Sequence, residues 1–291
     1  MGRRHHVKMN AMPELPEVES VRRLMERVLG GRRIVRAEVA PDEIVLSGTP
    51  AAAVHEALSG RTVTGIGRKG KFWWIALDRR PWVFGHLGMS GWIRELGGKE
   101  TRLKEHGSAP LLDEAGNPRF LKLLLEAEDG GRIAFTDGRR LGRLWLGDDP
   151  VSDKRVAQLG PDAYLDLPNV ADFAKALEKR KAPIKAVLLD QSVYSGIGNW
   201  IADEVLYAAK IAPARIAHSL KPKEFEALHT AIRRILSHAV EVDADYTKFP
   251  EDWMFHVRWG GGKGVQTIGG RTIVRETVGG RTTAWVPGYQ R

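Results

Sequence analysis

The residues with the most chemical potential lie close to the start of the chain, in the run Met12-Pro13-Glu14-Leu15-Pro16-Glu17-Val18-Glu19. Translation from Met12 and removal of that methionine would leave Pro13 with a secondary amine. An α-amino group titrates near ~8 and a lysine near ~10.4, so at pH 7 about one α-amine in ten is neutral, against fewer than about one lysine in a thousand. Such an amine can attack a sugar or carbonyl carbon and pass directly to an iminium ion, and the Glu14 carboxylate next to it is placed for proton transfer. A plainer reading stands beside this one. Prolines are tolerated in a first helical turn, and Glu14, Glu17 and Glu19 suit its positive end.

Other candidates follow along the chain. Gly65-Ile66-Gly67-Arg68-Lys69-Gly70-Lys71 satisfies GxGxxG and nearly satisfies a phosphate-binding loop, but both need a helix to follow. Here Phe72-Trp73-Trp74-Ile75 follows and reads as a strand, so a nucleotide site is rejected. What remains is a turn presenting Lys71, either to a partner or to solvent. His86-Leu87-Gly88-Met89-Ser90-Gly91 and Asp137-Gly138-Arg139-Arg140-Leu141-Gly142 each place a long side chain in a glycine-bounded loop. An enzyme that rotates a base out of a duplex needs groups to fill the vacated stack, which Met89 and Arg139 suit; a core position is the alternative for Met89. In Gly196-Ile197-Gly198-Asn199 the glycines let backbone approach a ligand, Asn199 can cap the helix that Ile201, Val205 and Ala208 continue, and exposed amides there favour phosphate. An ordinary helical hairpin would read the same way.

The elements that must position these groups can be read from periodicity. Val18, Val21, Leu24, Met25 and Val28 predict a helix from Pro16 to Leu29, ended by Gly30-Gly31. Strand patterns cover 34–39, 63–66, 72–77, 82–87, 120–127, 132–136 and 144–146. A helix capped by Thr49 spans 51–58, and 97–118 reads as an exposed polar insertion. Many short strands at this spacing indicate a β-sandwich or barrel. After Gly147-Asp148-Asp149-Pro150 the period becomes helical, with Val170, Phe173, Ala174 and Leu177 on one face and Phe225, Leu228, Ile232, Ile235 and Ala239 on another. From Phe255 glycine becomes dense, and Arg258, Lys263, Arg271, Arg275, Arg281 and Arg291 face only Glu276, which suggests a basic β-hairpin. The fold class is therefore α+β.

Composition narrows the partners. The 291 residues allow two domains with separate cores, and a net charge of +9 favours a polyanion. There is no cysteine, which removes disulfides and cysteine-based zinc sites, and the nine histidines show no HExxH spacing. No apolar run reaches the roughly eighteen residues of a membrane-spanning helix. Residues 1–11 have no signal-peptide core and read as a mis-called start or an added leader outside the fold.

MPELPEVE resembles the amino terminus of formamidopyrimidine-DNA glycosylases, in the Fpg branch of the Fpg/Nei family, and the later motifs extend the resemblance from Met12 to Arg291. It implies a catalytic β-sandwich domain over 12–147, a helix-two-turns-helix DNA-binding domain over 148–250 and a finger hairpin over 251–291. By this resemblance Pro13, Glu14 and Lys71 are catalytic, with Lys71 at the phosphate beside the lesion. Met89, Arg139 and Leu141 fill the void, Leu141 standing where many members carry Phe, while Lys185 and Asn199 grip the backbone and Arg281 reaches the lesion from the finger. The family's zinc-ligand cysteines would fall near Gln266, Gly269, Val286 and Tyr289, so the finger resembles the plant-type zincless form, with Trp285, Val286 and Tyr289 packing in place of metal. The implied activity is a bifunctional glycosylase and abasic-site lyase acting by β,δ-elimination, without cofactor, as a monomer on double-stranded damaged DNA. Leu15-Pro16 resembles the Fpg form, which favours oxidised purines; the stretch 242–259 departs from the lesion-capping loop of zinc-bearing members. The compartment would be cytoplasmic in a bacterium and nuclear in a eukaryote. Two alternatives are a catalytically silent damaged-DNA-binding protein, if the leader is retained and blocks Pro13, and an RNA-binding helical hairpin.

Overall fold

The computed structural model describes residues 12–98, 112–113, 117–260 and 265–291. The leader 1–11, most of the 97–118 insertion and Lys263 lie outside the described residues. Two compact units emerge, one ending at Gln158 and joined by 243–245, the other made of 159–242 and 246–291.

The first unit opens with α1 (Leu15–Leu29), whose apolar stripe Val18, Val21, Met25, Val28 and Leu29 is buried. Its start is fixed by Glu17, which accepts a hydrogen bond from the Glu14 backbone N–H at 3.1 Å. The strands β1 (Ile34–Val39), β6 (Leu121–Ala127), β7 (Arg132–Thr136) and β5 (Trp92–Glu95) pair antiparallel in that order, and β2 (Val63–Lys69), β3 (Phe72–Leu77), β4 (Trp82–His86) and β8 (Arg143–Gly147) form the second sheet. Alternation decides which side chains meet: Trp73, Ile75 and Leu77 of β3 join Ile34, Leu123, Leu125, Ile133 and Phe135 of the other sheet in one core with α1 and α2 (Ala51–Leu58). Pro50, not Thr49, occupies the cap position of α2. A proline there presets the backbone for the first turn, so no side-chain cap is made. Strand β5 escapes sequence detection because Trp92-Ile93-Arg94-Glu95 does not alternate. A four-residue helix, α3 (Lys154–Ala157), is capped by the Asp153 carboxylate and covers Phe84 and Trp145 with Val156.

The second unit is helical: α4 (Val170–Glu178), α5 (Ile184–Leu189), α6 (Asn199–Ala208) and α7 (Pro222–Glu241) bury Phe173, Leu177, Leu188, Trp200, Ile201, Phe225, Leu228, Ile232 and Ile235. Two short hairpins complete it, β9 (Thr267–Ile268) with β10 (Arg271–Thr272) and β11 (Val274–Val278) with β12 (Arg281–Trp285). No helix among the described residues is long and apolar enough to cross a membrane.

Candidate active site and nucleic-acid interface

Pro13 and Glu14 sit at the mouth of α1, both buried, with Glu14 as the residue immediately before the helix. The helix ties this end of the chain to Lys71. Glu19 accepts from Arg68 Nε at 2.9 Å, and Arg68 also donates to the Gly70 carbonyl at 2.9 Å. Lys69 pairs with Phe72, so Gly70-Lys71 is a two-residue turn with φ +58° at the glycine, and the fully enclosed Arg68 side chain fixes it from within. Burial alone would raise the Glu19 carboxyl, but the hydrogen bonds from Arg22 and Arg68 outweigh it and hold the group below its usual range. Glu19 and Arg68 could not be singled out as a pair from sequence, because they lie on different elements, 49 residues apart. The GIGRKGK run lies on β2 and the turn that leads into β3, with a strand and no helix after it.

The two glycine-bounded loops meet. A Cβ at Gly88, where φ is +61°, would lie 2.3 Å from the Leu141 carbonyl oxygen, so only glycine allows this approach. The clasp is Asp137, wholly buried, whose carboxylate accepts from Ser90 Oγ at 2.5 Å, from the backbone N–H groups of Arg139 and Arg140 at 3.1 Å each and from that of Gly142 at 2.6 Å. One carboxylate thus shapes both loops, with the Arg139 and Leu141 side chains left exposed and Met89 half-buried. Arg140, in a left-handed conformation at φ +57°, turns away to grip Asp42 at 2.9 to 3.1 Å. Burial pushes the Asp42 carboxyl up, yet Arg140 and Lys122 hold it well below the usual range. His86 Nδ1 accepts from the Gly88 N–H at 3.0 Å, which requires a neutral ring. Burial, with Lys71 and Arg143 nearby, lowers its pKa to about 4.

The second unit gathers the remaining candidates around one backbone carbonyl. Lys185 Nζ and Asn199 Nδ2 each donate to the Thr282 oxygen at 3.0 Å. Lys185, expected on a DNA backbone, is 0% exposed and also contacts Asp203 Oδ1 at 2.6 Å and Thr283 Oγ1 at 2.8 Å. Asn199, expected as the cap of α6, is its first residue instead, with Gly198 in the cap position. Asp203 further accepts from Arg258 at 2.7 Å and from the Ala284 N–H at 3.1 Å, so α5, α6 and β12 are joined through one buried carboxylate. Arg258, read from sequence as part of a basic β-hairpin, lies outside the hairpin strands and is buried there. Next to it, Glu204 accepts from the Met254 and Phe255 N–H groups at 3.3 and 2.8 Å, and burial raises its pKa to about 8.

This bracing aims Arg281. It is exposed at the start of β12 and pairs with Val278 across Gly279-Gly280, where φ is +60° and +73°. A Cβ at Gly279 would lie 2.8 Å from that of Ala186, so the tip rests directly on α5. Beneath it, Met254, Ile268, Ile273, Ala284 and Val286 form a small core with Tyr207 and Tyr289 against it. Trp285, expected in that packing, lies outside the cluster and is only half-buried. Arg275 donates to the Arg258 and Val257 carbonyls at 3.0 and 2.6 Å and to the Gln266 side chain, while Gln290 clips the Val286 N–H to the Ile211 carbonyl. No group of three potential metal ligands occurs among the described residues.

Comparison with known proteins gives this arrangement its context. The Formamidopyrimidine-DNA glycosylase N-terminal domain family matches residues 12–144, and the Formamidopyrimidine-DNA glycosylase H2TH domain family matches 159–251. A formamidopyrimidine-DNA glycosylase of Arabidopsis thaliana is 42% identical over 96% of this chain and 71% of its own length. One from Acidiphilium cryptum is 39% identical over 79% of this chain and 77% of its own. Among solved structures, Lactococcus lactis formamidopyrimidine-DNA glycosylase bound non-covalently to abasic-site DNA is similar with a TM-score of 0.78 and 26% identity, over 96% of this chain and all of that one. A mutant of the same enzyme with DNA containing Fapy-dG has a TM-score of 0.76 at 27% identity. With both of its domains matched and close relatives along nearly its whole length, this chain belongs to the formamidopyrimidine-DNA glycosylase family.

Proposed function

We propose that this protein excises oxidised purines from double-stranded DNA and then cleaves the abasic strand, as a base-excision repair glycosylase and lyase. The observation that carries the reading is the coupling of Pro13-Glu14, at the head of α1, to the Lys71 turn through Glu19 and Arg68. Pro13, freed of Met12, attacks C1′ with its ring nitrogen; the C1′–N bond to the base breaks and the base leaves with a proton. Glu14 delivers a proton to O4′ as the sugar ring opens, which leaves an iminium at C1′. Loss of a C2′ proton then expels the 3′ phosphate, a further elimination expels the 5′ phosphate, and water releases the protein.

Lys71 meets the phosphate beside the lesion, Asn199 and Arg281 meet the backbone, and Met89, Arg139 and Leu141 occupy the vacated stack. In this reading Lys185 serves DNA indirectly, as a buried strut that holds the Thr282 carbonyl and so orients Arg281. The functional divisions are 12–147, 148–250 and a zincless finger over 251–291, with residues 1–11 outside them. The protein works as a monomer wherever the genome lies, in bacterial cytoplasm or a eukaryotic nucleus.

Borohydride reduction tests the amine directly. Protein beginning at Pro13 should form a stable covalent complex with abasic DNA, whereas protein that retains residues 1–12 should not. Equal trapping of both would remove Pro13 from the mechanism.

A further inference from the structure

Phe120 is an exposed aromatic in a strained place. It is 52% exposed with φ at +59°, a left-handed conformation that bulky L-residues seldom adopt and that glycine or asparagine takes far more readily. Among the described residues, Phe120 belongs to none of the buried clusters of its unit. The site is nevertheless bound into the loop cluster described above. The Phe120 carbonyl accepts from the Asp137 N–H at 3.0 Å, and a Cβ at Gly138 would lie 3.1 Å from the phenyl ring. The guanidinium of Arg119, also exposed, lies 5.4 Å from the ring centroid. The same cluster carries Arg139 and the aliphatic Leu141.

An exposed aromatic face beside a cation matches a nucleobase and its phosphate, because every base offers a π-face and every nucleotide a negative charge. A backbone conformation held against its preference points to function at the residue that holds it. Building on the reading of this protein as a duplex-acting enzyme, we propose that Phe120 stacks on a base at the lesion step, supplying the aromatic contact that Leu141 cannot, with Arg119 on the adjoining phosphate.

The test uses binding without cleavage, so that its failure and a failure of the amine mechanism are told apart. Duplexes carry a non-cleavable tetrahydrofuran site with 2-aminopurine either opposite it or flanking it. The full-length protein should change the fluorescence in one of these two arms. Phe120→Asn, which suits the left-handed backbone and should melt no lower than the parent, should lose that change and bind about tenfold or more weakly. Phe120→Trp should restore both, and Phe120→Leu should not. If Phe120→Asn matches the parent in affinity and in both fluorescence arms, the proposal is overturned.

Discussion

Asp137 has more asked of it than any other buried carboxylate near the proposed chemistry. Three backbone N–H groups and a hydroxyl converge on it, and each would be left without its partner in a cavity if it were removed. Asp137→Ala should therefore cost about 3 kcal/mol of stability, seen as a lower melting temperature, while Asp137→Asn, which keeps one acceptor, should cost less. Lesion excision from duplex DNA should fall further than cleavage of a single-stranded abasic site, since only the duplex needs the clasped loops; equal losses would place Asp137 in the general fold alone. Single residues were also where sequence and structure parted most clearly. The position of Pro13 and Glu14 at the head of a helix was legible because it is local to adjacent positions, and their chemistry is a proposal. The position of Lys185 was not legible: its burial depends on Asp203 and on Thr283, 98 residues away, and no local pattern reports such a partner.

The loop between β4 and β5 carries a pH dependence that follows from His86. Its folded pKa of about 4 lies below the ordinary 6.5, so in that window unfolding takes up a proton and acidification favours the unfolded chain. The stability this loop contributes is complete above pH 6.5 and is lost as the pH falls towards 4. Replacing the ring with a non-titrating acceptor, His86→Asn, should flatten that part of the melting-temperature profile; an unchanged slope between pH 6.5 and 4 would assign the acid sensitivity to other groups. At this level most of the architecture was legible, because α1, α7 and the alternating strand β3 have faces that their periodicity exposes. Strand β5 and helix α3 were missed for want of length: each has four residues, too few for either period to show, and each is fixed by partners elsewhere in its unit.

Taken as one polycation, the chain carries a net charge of +9, and its affinity for DNA should fall steeply with salt. If the exposed Arg281 guanidinium meets one phosphate, as proposed, Arg281→Ala should flatten the dependence of log K on log salt by about one unit of slope; an unaltered slope would take the finger off the DNA. Chelators should leave melting temperature and affinity unchanged, whereas Gln290→Ala, which frees the Val286 N–H and the Ile211 carbonyl, should lower the melting temperature. The absence of cysteine excluded thiolates from the hairpin region, but its apolar core and the Arg275 and Gln290 clips were visible only once folded. A last consequence concerns the anchor shared by Lys185 and Asn199. Both reach a main-chain oxygen, so whatever side chain occupies position 282, the attachment survives. Alanine scanning across that hairpin would pass over it unseen, and a backbone ester, with its weaker acceptor, is the lesion that would expose it.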